Sequence, residues 1–287
     1  MTHADTPIRD ELRYLLALSR PRFWLYLAGP VLVGTAFGAD RLGALVAPAP
    51  LALFGYFLLP ANVYLYGIND LYDRRIDRLN PKKEDRESRY EGQRSVPIVA
   101  GTSLALLVPV AWVVPVLSWP YLAAWALLAT GYSVPPVRFK TWPFFDSLSN
   151  GLYVLPGAAA YAALAGVHPP VVALVAGWLW AMSMHTFSAI PDVEPDRRAG
   201  IETTATRLGR EATLWYCTSL WTLSAAGFAI LDWRLGALVL VYPALAIAVA
   251  HSRIAVDRAY WWFPLVNGFV GMTVTLGGLW RLVDGAI

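Results

Sequence analysis

The chain has 287 residues, 57% of them hydrophobic and only 15% charged, with 13 Trp, 14 Tyr and a formal net charge of +3. An ordinary soluble domain is about 25% charged, and one this apolar would expose aggregating patches, so the composition excludes a soluble protein and points to a membrane bundle. The single cysteine, Cys217, excludes a disulfide framework and a thiolate metal site, and no nucleic-acid partner is expected.

The first twenty residues carry Asp5, Arg9, Asp10, Glu11 and Arg13 before any apolar run. They lack the basic start and apolar core of a cleavable signal peptide. A membrane helix needs about 20 mostly apolar residues, and nine spans are predicted, at 22–39, 44–68, 96–116, 119–134, 146–166, 169–191, 212–231, 235–252 and 261–283. Pro30, Pro60, Pro115, Pro156 and Pro243 fall inside them, which a bundle tolerates when neighbouring helices satisfy the freed backbone groups. The whole chain, 1–287, reads as one intramembrane domain.

With nine spans and the N-terminus in the cytoplasm, 20 of the 23 Lys and Arg residues fall on the cytoplasmic side. Eight of them crowd between Arg74 and Arg94, while Arg41, Arg234 and Arg281 alone face the other way. Cytoplasmic loops of membrane proteins carry this excess. The expectation is a multi-pass protein of the cell membrane, with its C-terminus on the opposite side.

Two acidic motifs stand at cytoplasmic ends of spans. After the second span comes Asn69-Asp70-x-x-Asp73-x-x-x-Asp77; after the sixth comes Asp192-x-x-x-Asp196. On a helix, Asn69, Asp73 and Asp77 share a face, with Asp70 beside it, and Asp192 and Asp196 stack one turn apart. Hard oxygen ligands of this type suit magnesium, which binds a few carboxylates together with phosphate oxygens and water. Two such ends at one membrane face suit magnesium on a diphosphate, whose departure the metal would assist. Either motif by itself also reads as a solvated helix end.

Cations are expected around such a site, and Lys82, Lys83, Arg138 and Lys140 are candidates. The last two follow Tyr132-Ser133-Val134-Pro135-Pro136, where the proline pair stiffens the turn; the alternative for them is a positive-inside anchor. Arg22 points either into the same cavity or to lipid headgroups. His185, seven residues before Asp192, either faces the cavity or is a packing residue. The Trp and Tyr residues either belong to interface belts or shield a carbocation through cation–π contacts. No Gly-rich phosphate loop occurs.

At these motifs the sequence resembles the UbiA superfamily of intramembrane prenyltransferases, over nearly its whole length. The patterns N-D-x-x-D-x-x-x-D and D-x-x-x-D-x-x-x-G appear as Asn69 to Asp77 and as Asp192, Asp196 and Gly200, and the Y-S-x-P-P segment is also similar. The resemblance implies an all-α, nine-helix membrane bundle, a prenyl diphosphate donor and magnesium. It implies metal-binding roles for Asn69, Asp70, Asp73, Asp77, Asp192 and Asp196, with Asp73, Asp77, Asp192 and Asp196 catalytic. Diphosphate contacts would come from Arg22, Lys82, Lys83, Tyr132, Arg138, Lys140 and Arg197. Within the superfamily, three stretches are similar to the lycopene elongases of C50 carotenoid synthesis: Asn69 to Glu84, Arg138 to Pro156 and Ser188 to Gly209. That similarity implies transfer of a dimethylallyl group to lycopene. It also implies an acceptor pocket at Asp146, Asn150 and His185, and allows for pathway partner subunits. Many quinone-forming members carry a Lys roughly where Glu202 stands, which argues against an aromatic acceptor. The rival expectations are another acceptor (aromatic, chlorophyll-type or isoprenoid-lipid) and a cation-binding transporter. Transporter charges usually lie near the midplane, whereas these acids cluster at one face.

Overall fold

The computed structural model describes residues 6–77, 90, 92–252 and 254–284, except the side chains of 6–8, 10, 74–77 and 284. Among the described residues every regular element is helical. The chain runs through α1 (Thr6–Leu18), α2 (Trp24–Gly38), α3 (Pro48–Leu58), α4 (Pro60–Asp77), α5 (Ser95–Ala105), α6 (Leu107–Val113), α7 (Trp119–Ser133) and the short α8 (Phe145–Leu148). It continues through α9 (Leu155–Ala165), α10 (Val171–Ala189), α11 (Val193–Arg198), α12 (Thr204–Leu208), α13 (Arg210–Leu231), α14 (Trp233–Val239), α15 (Val241–His251) and α16 (Val256–Asp284).

Six helical stretches are long and apolar enough to cross a bilayer: Pro48–Asp73, Ser95–Val113, Val171–Arg198, Arg210–Leu231, Trp233–His251 and Val256–Val283. The other predicted spans coincide with α2, α7 and α9, which are 15, 15 and 11 residues long. The shortest has a physical cause. The stretch expected to begin at 146 opens with a 3-10 turn, Ser149–Tyr153, and the α-helix starts only at Leu155. Trp178 lies so close over Gly151 that a Cβ there would come within 1.7 Å of its ring, and Pro156 sets the first turn of α9.

Proline breaks are repaired locally. Pro60 opens α4 after a kink at Leu59, and the Asn62 side-chain amide donates to the carbonyls of Phe57 (2.9 Å) and Leu58 (3.0 Å). Without that amide, two carbonyls would lie unsatisfied in an apolar medium. Between helices, small hydroxyls serve the same need. Ser118 donates to Ala159 O at 2.9 Å, Ser183 to Cys217 O at 2.6 Å and Ser224 to Ala176 O at 2.8 Å. Such bonds and close-packed small residues hold membrane helices together, because lipid removes the hydrophobic incentive. Gly34 and Gly157 allow a close backbone approach between α2 and α9, where a Cβ on Gly34 would lie 2.0 Å from Gly157 O.

The buried apolar side chains form two cores. One joins Leu27, Leu53, Phe57, Trp125 and Ala159 from the first half of the chain. The other joins Phe187, Cys217, Trp221, Tyr242 and Phe263 from the second half, with Trp221 stacked on Tyr242 (5.6 Å) and Phe263 (5.8 Å). The first acidic motif belongs to the first half and the second to the other, so residues between the two cores bring the motifs into relation.

Candidate active site

On α4, Asp70 is 1% exposed and Asp73 6% exposed. A buried carboxylate needs a cation or several donors, and each of these has a cation from a different loop. Arg20 Nη2 stands 3.6 Å from Asp70 Oδ1, held there by a left-handed backbone (φ 50°) between α1 and a 3-10 turn. Arg138 Nη2 donates to Asp73 Oδ1 at 2.9 Å, also from a left-handed residue (φ 40°), just past the Pro135–Pro136 turn. Lys140 Nζ contacts the other oxygen, Asp73 Oδ2.

Lys140 touches one motif and lies within the field of the other: besides contacting Asp73, it lies within the fields of Asp70 and Asp196. Burial pulls its ammonium down to about 7, with Asp70 and Asp196 acting in the opposite sense and Arg20 adding to the lowering.

The second motif is shaped by Pro191 and Gly200. Pro191 lies in a 3-10 turn, Ile190–Asp192, at the end of α10, so Asp192 stands at the N-cap position of α11, with no side-chain capping bond, and Asp196 lies in its first turn. Gly200, with φ 70°, then ends α11: its N–H donates to Arg197 O at 3.1 Å and the Ile201 N–H to Asp196 O at 2.9 Å. This paired closure requires a left-handed residue, which is why the glycine stands four residues beyond the second Asp.

The remaining predicted residues are placed as follows. Arg22 donates to Trp261 O and covers the Trp261 ring at 3.4 Å, joining the start of α2 to α16. Arg197 is turned along its own helix end, to Thr206 O at 2.8 Å and Glu194 at 3.3 Å. Asp146, 1% exposed, accepts from the Thr204 N–H at 3.0 Å and from the Thr204 hydroxyl; it ties the loop after α7 to the start of α12. Asn150 donates to Asp146 O at 2.6 Å. Tyr132 and His185 meet edge to face, with Tyr132 Oη 3.3 Å from His185 Nε2. Asn69 is half-buried on α4. Lys82, Lys83 and the side chain of Asp77 lie outside the described residues.

Sequence reasoning used Arg20 only as one positive charge among many; its place before Pro21 at a span's edge was the available signal. It also passed over Tyr66, one turn before Asp70. Arg20 covers the Tyr66 ring at 4.5 Å, and the Tyr153 hydroxyl lies against that of Tyr66. Phe23, Tyr26 and Tyr153 extend this aromatic wall, with centroids 5.2 to 6.4 Å apart.

The donor set fits a hard divalent cation: carboxylates at two helix ends, an asparagine amide, and neither thiol nor imidazole among them. No group of three or more His, Cys, Asp or Glu converges on one point among the described residues. A bound ion would therefore complete its shell with phosphate oxygens and water, as magnesium does.

The chain belongs to the UbiA prenyltransferase family, whose model matches residues 27–279. It is a multi-pass membrane enzyme of the prenyltransferase class. Among curated relatives, it is 60% identical over 273 residues to a lycopene elongase/hydratase of Halobacterium salinarum, covering 95% of this chain and 99% of that protein. It is 56% identical over 282 residues to a protein of the same name from Haloferax volcanii, covering 98% and 94%. Its fold is similar to that of a UbiA homolog from Archaeoglobus fulgidus bound to DMAPP and Mg2+, with TM-score 0.74, 22% identity and coverage of 94% and 99%.

Proposed function

We propose that the chain transfers a dimethylallyl group from dimethylallyl diphosphate to the ends of lycopene, with magnesium, in C50 carotenoid synthesis. The observation that carries the donor half is Lys140, in contact with one acidic motif and within the field of the other. The acceptor follows the 60% and 56% identical relatives named lycopene elongase/hydratase.

In this reading Asn69, Asp70, Asp73, Asp77, Asp192 and Asp196 hold the metal. Bound magnesium neutralises charge on the departing diphosphate. Lys140, Arg138 and Arg20 face the same oxygens and supply fixed positive charge in a water-poor site. Lys82 and Lys83, a few residues beyond Asp77 in the sequence, would add to it, and Arg22 and Arg197 hold neighbouring segments in place. The wall of Tyr66, Tyr153 and Tyr26 offers ring faces to the allylic cation left behind. The terminal alkene of lycopene attacks that cation through C2, leaving a tertiary cation that loses a proton or takes up water. No phenol-activating base is needed. The acids and cations face the cytoplasm, where the Lys and Arg excess also lies.

Membranes holding the chain, given dimethylallyl diphosphate, magnesium and lycopene, should yield a larger carotenoid, detected by mass, and a chelator should stop the reaction. Prenylation of an aromatic acid with lycopene untouched would refute the acceptor assignment.

A further inference from the structure

Below the acidic motifs lies a polar cluster that ionisation of a diphosphate does not require. His185 lies on α10, seven residues before Asp192 and separated from it by the 3-10 turn Ile190–Asp192, which puts it about 10 Å deeper. Its Nε2 lies 3.3 Å from Tyr132 Oη, whose ring meets it at 89°. The Asn150 side chain lies against the same phenol and is fixed by its bond to Asp146 O at 2.6 Å. Asp146 and Lys140 are the charged neighbours whose fields reach the imidazole. Among the described residues Nδ1 of His185 takes no partner, and the residue is half-buried rather than sealed in the core.

A hydrocarbon acceptor gains nothing from an imidazole, a phenol and an amide at this depth, and burying them costs free energy unless they are satisfied. One water would satisfy them, since a buried water needs two to four polar partners. With the diphosphate held at the acids, as in the proposed transfer, the roughly 10 Å of two helical turns down to His185 is on the scale of a five-carbon chain and the alkene that meets it, which would place the tertiary cation near the imidazole.

We propose that His185 is the base that ends the reaction, taking a proton from a water molecule as its oxygen bonds to the tertiary carbocation of the elongated acceptor. The C–O bond forms, one O–H bond of the water breaks, and the proton passes to the imidazole. The product is a tertiary alcohol. Tyr132 and Asn150 are positioning residues that orient ring and water. This inference rests on the proposed transfer to an alkene.

The test is membranes supplied with lycopene, dimethylallyl diphosphate and magnesium in 18O-labelled water, with products separated and weighed. The wild type should place 18O in its elongated product. His185→Gln, which keeps a hydrogen bond to Tyr132 but is no base, should lower the hydrated share of the product about tenfold or more, the scale of a lost general base. Tyr132→Phe should shift the share in the same direction by less. Added imidazole should restore the alcohol in His185→Ala, which loss of a merely structural side chain does not predict. An unchanged hydrated share in His185→Gln overturns the assignment. So does an equal fall of all products in both His185 variants without imidazole rescue, or a wild-type product free of 18O. Failure of the wild type to alter lycopene would instead overturn the acceptor reading on which this role depends.

Discussion

Replacing Lys140 by methionine removes an ammonium that touches one acidic motif within the field of the other, while keeping most of the side chain's length. Asp73 retains Arg138 at 2.9 Å, so the carboxylate is not left unpaired, and the loss falls mainly on the contact with diphosphate. A hydrogen bond to a charged group is worth about 1.5–3 kcal/mol, which converts to roughly a 10- to 150-fold fall in kcat/KM for the donor. The pH profile is the sharper measure. Burial lowers Lys140 to about 7, so the free enzyme loses this charge as pH rises through about 7, whereas bound diphosphate retains the proton. Since kcat/KM reports ionisations of the free enzyme, it should fall above about pH 7 toward the level of Lys140→Met. Lys140→Arg stays charged and should flatten that limb. Steady-state assays from pH 6 to 9 at saturating magnesium test this. The reasoning fails if the wild type shows no alkaline limb, or if Lys140→Arg shows the same limb.

Asp73→Asn and Asp192→Asn should each lower turnover about 100-fold or more, on the scale of a lost charge-stabilising group, with expression intact by immunoblot; full activity in both would remove the diphosphate site. Asp146→Asn weakens the buried tie to Thr204, formed through its N–H and hydroxyl. It should cost about 1.5–3 kcal/mol, read as a lower melting temperature in detergent. Thr204→Val should do less on top of Asp146→Asn than by itself, as expected for partners in one network. Gly34→Ala sets a methyl 2.0 Å from Gly157 O. Forcing α2 and α9 apart should cost about 1–3 kcal/mol, again visible in thermal unfolding.

Hydropathy and charge alone located the stretches now seen as long apolar helices, because bilayer thickness sets a length that no other constraint in the chain competes with. They also placed both acidic motifs at helix ends, and helical periodicity aligned Asn69 with Asp73. The sequence foresaw spans at 22–39, 119–134 and 146–166, where the α-helices run Trp24–Gly38, Trp119–Ser133 and Leu155–Ala165; at the last of these, Trp178 over Gly151 and the start at Pro156 account for the shortening.

What tertiary structure alone decided is which cation meets which acid. Arg20, Arg22, Arg138, Lys140 and Arg197 are equivalent as charges near one membrane face. Left-handed turns at Arg20 and Arg138 aim two side chains at Asp70 and Asp73, while Arg22 turns to Trp261 and Arg197 to Thr206. Period and composition record a residue's face on its own helix. They do not record the backbone hand of a loop or the rotation of one helix against another, and those angles determine that Lys140 touches Asp73 within the field of Asp196 and that His185 meets Tyr132.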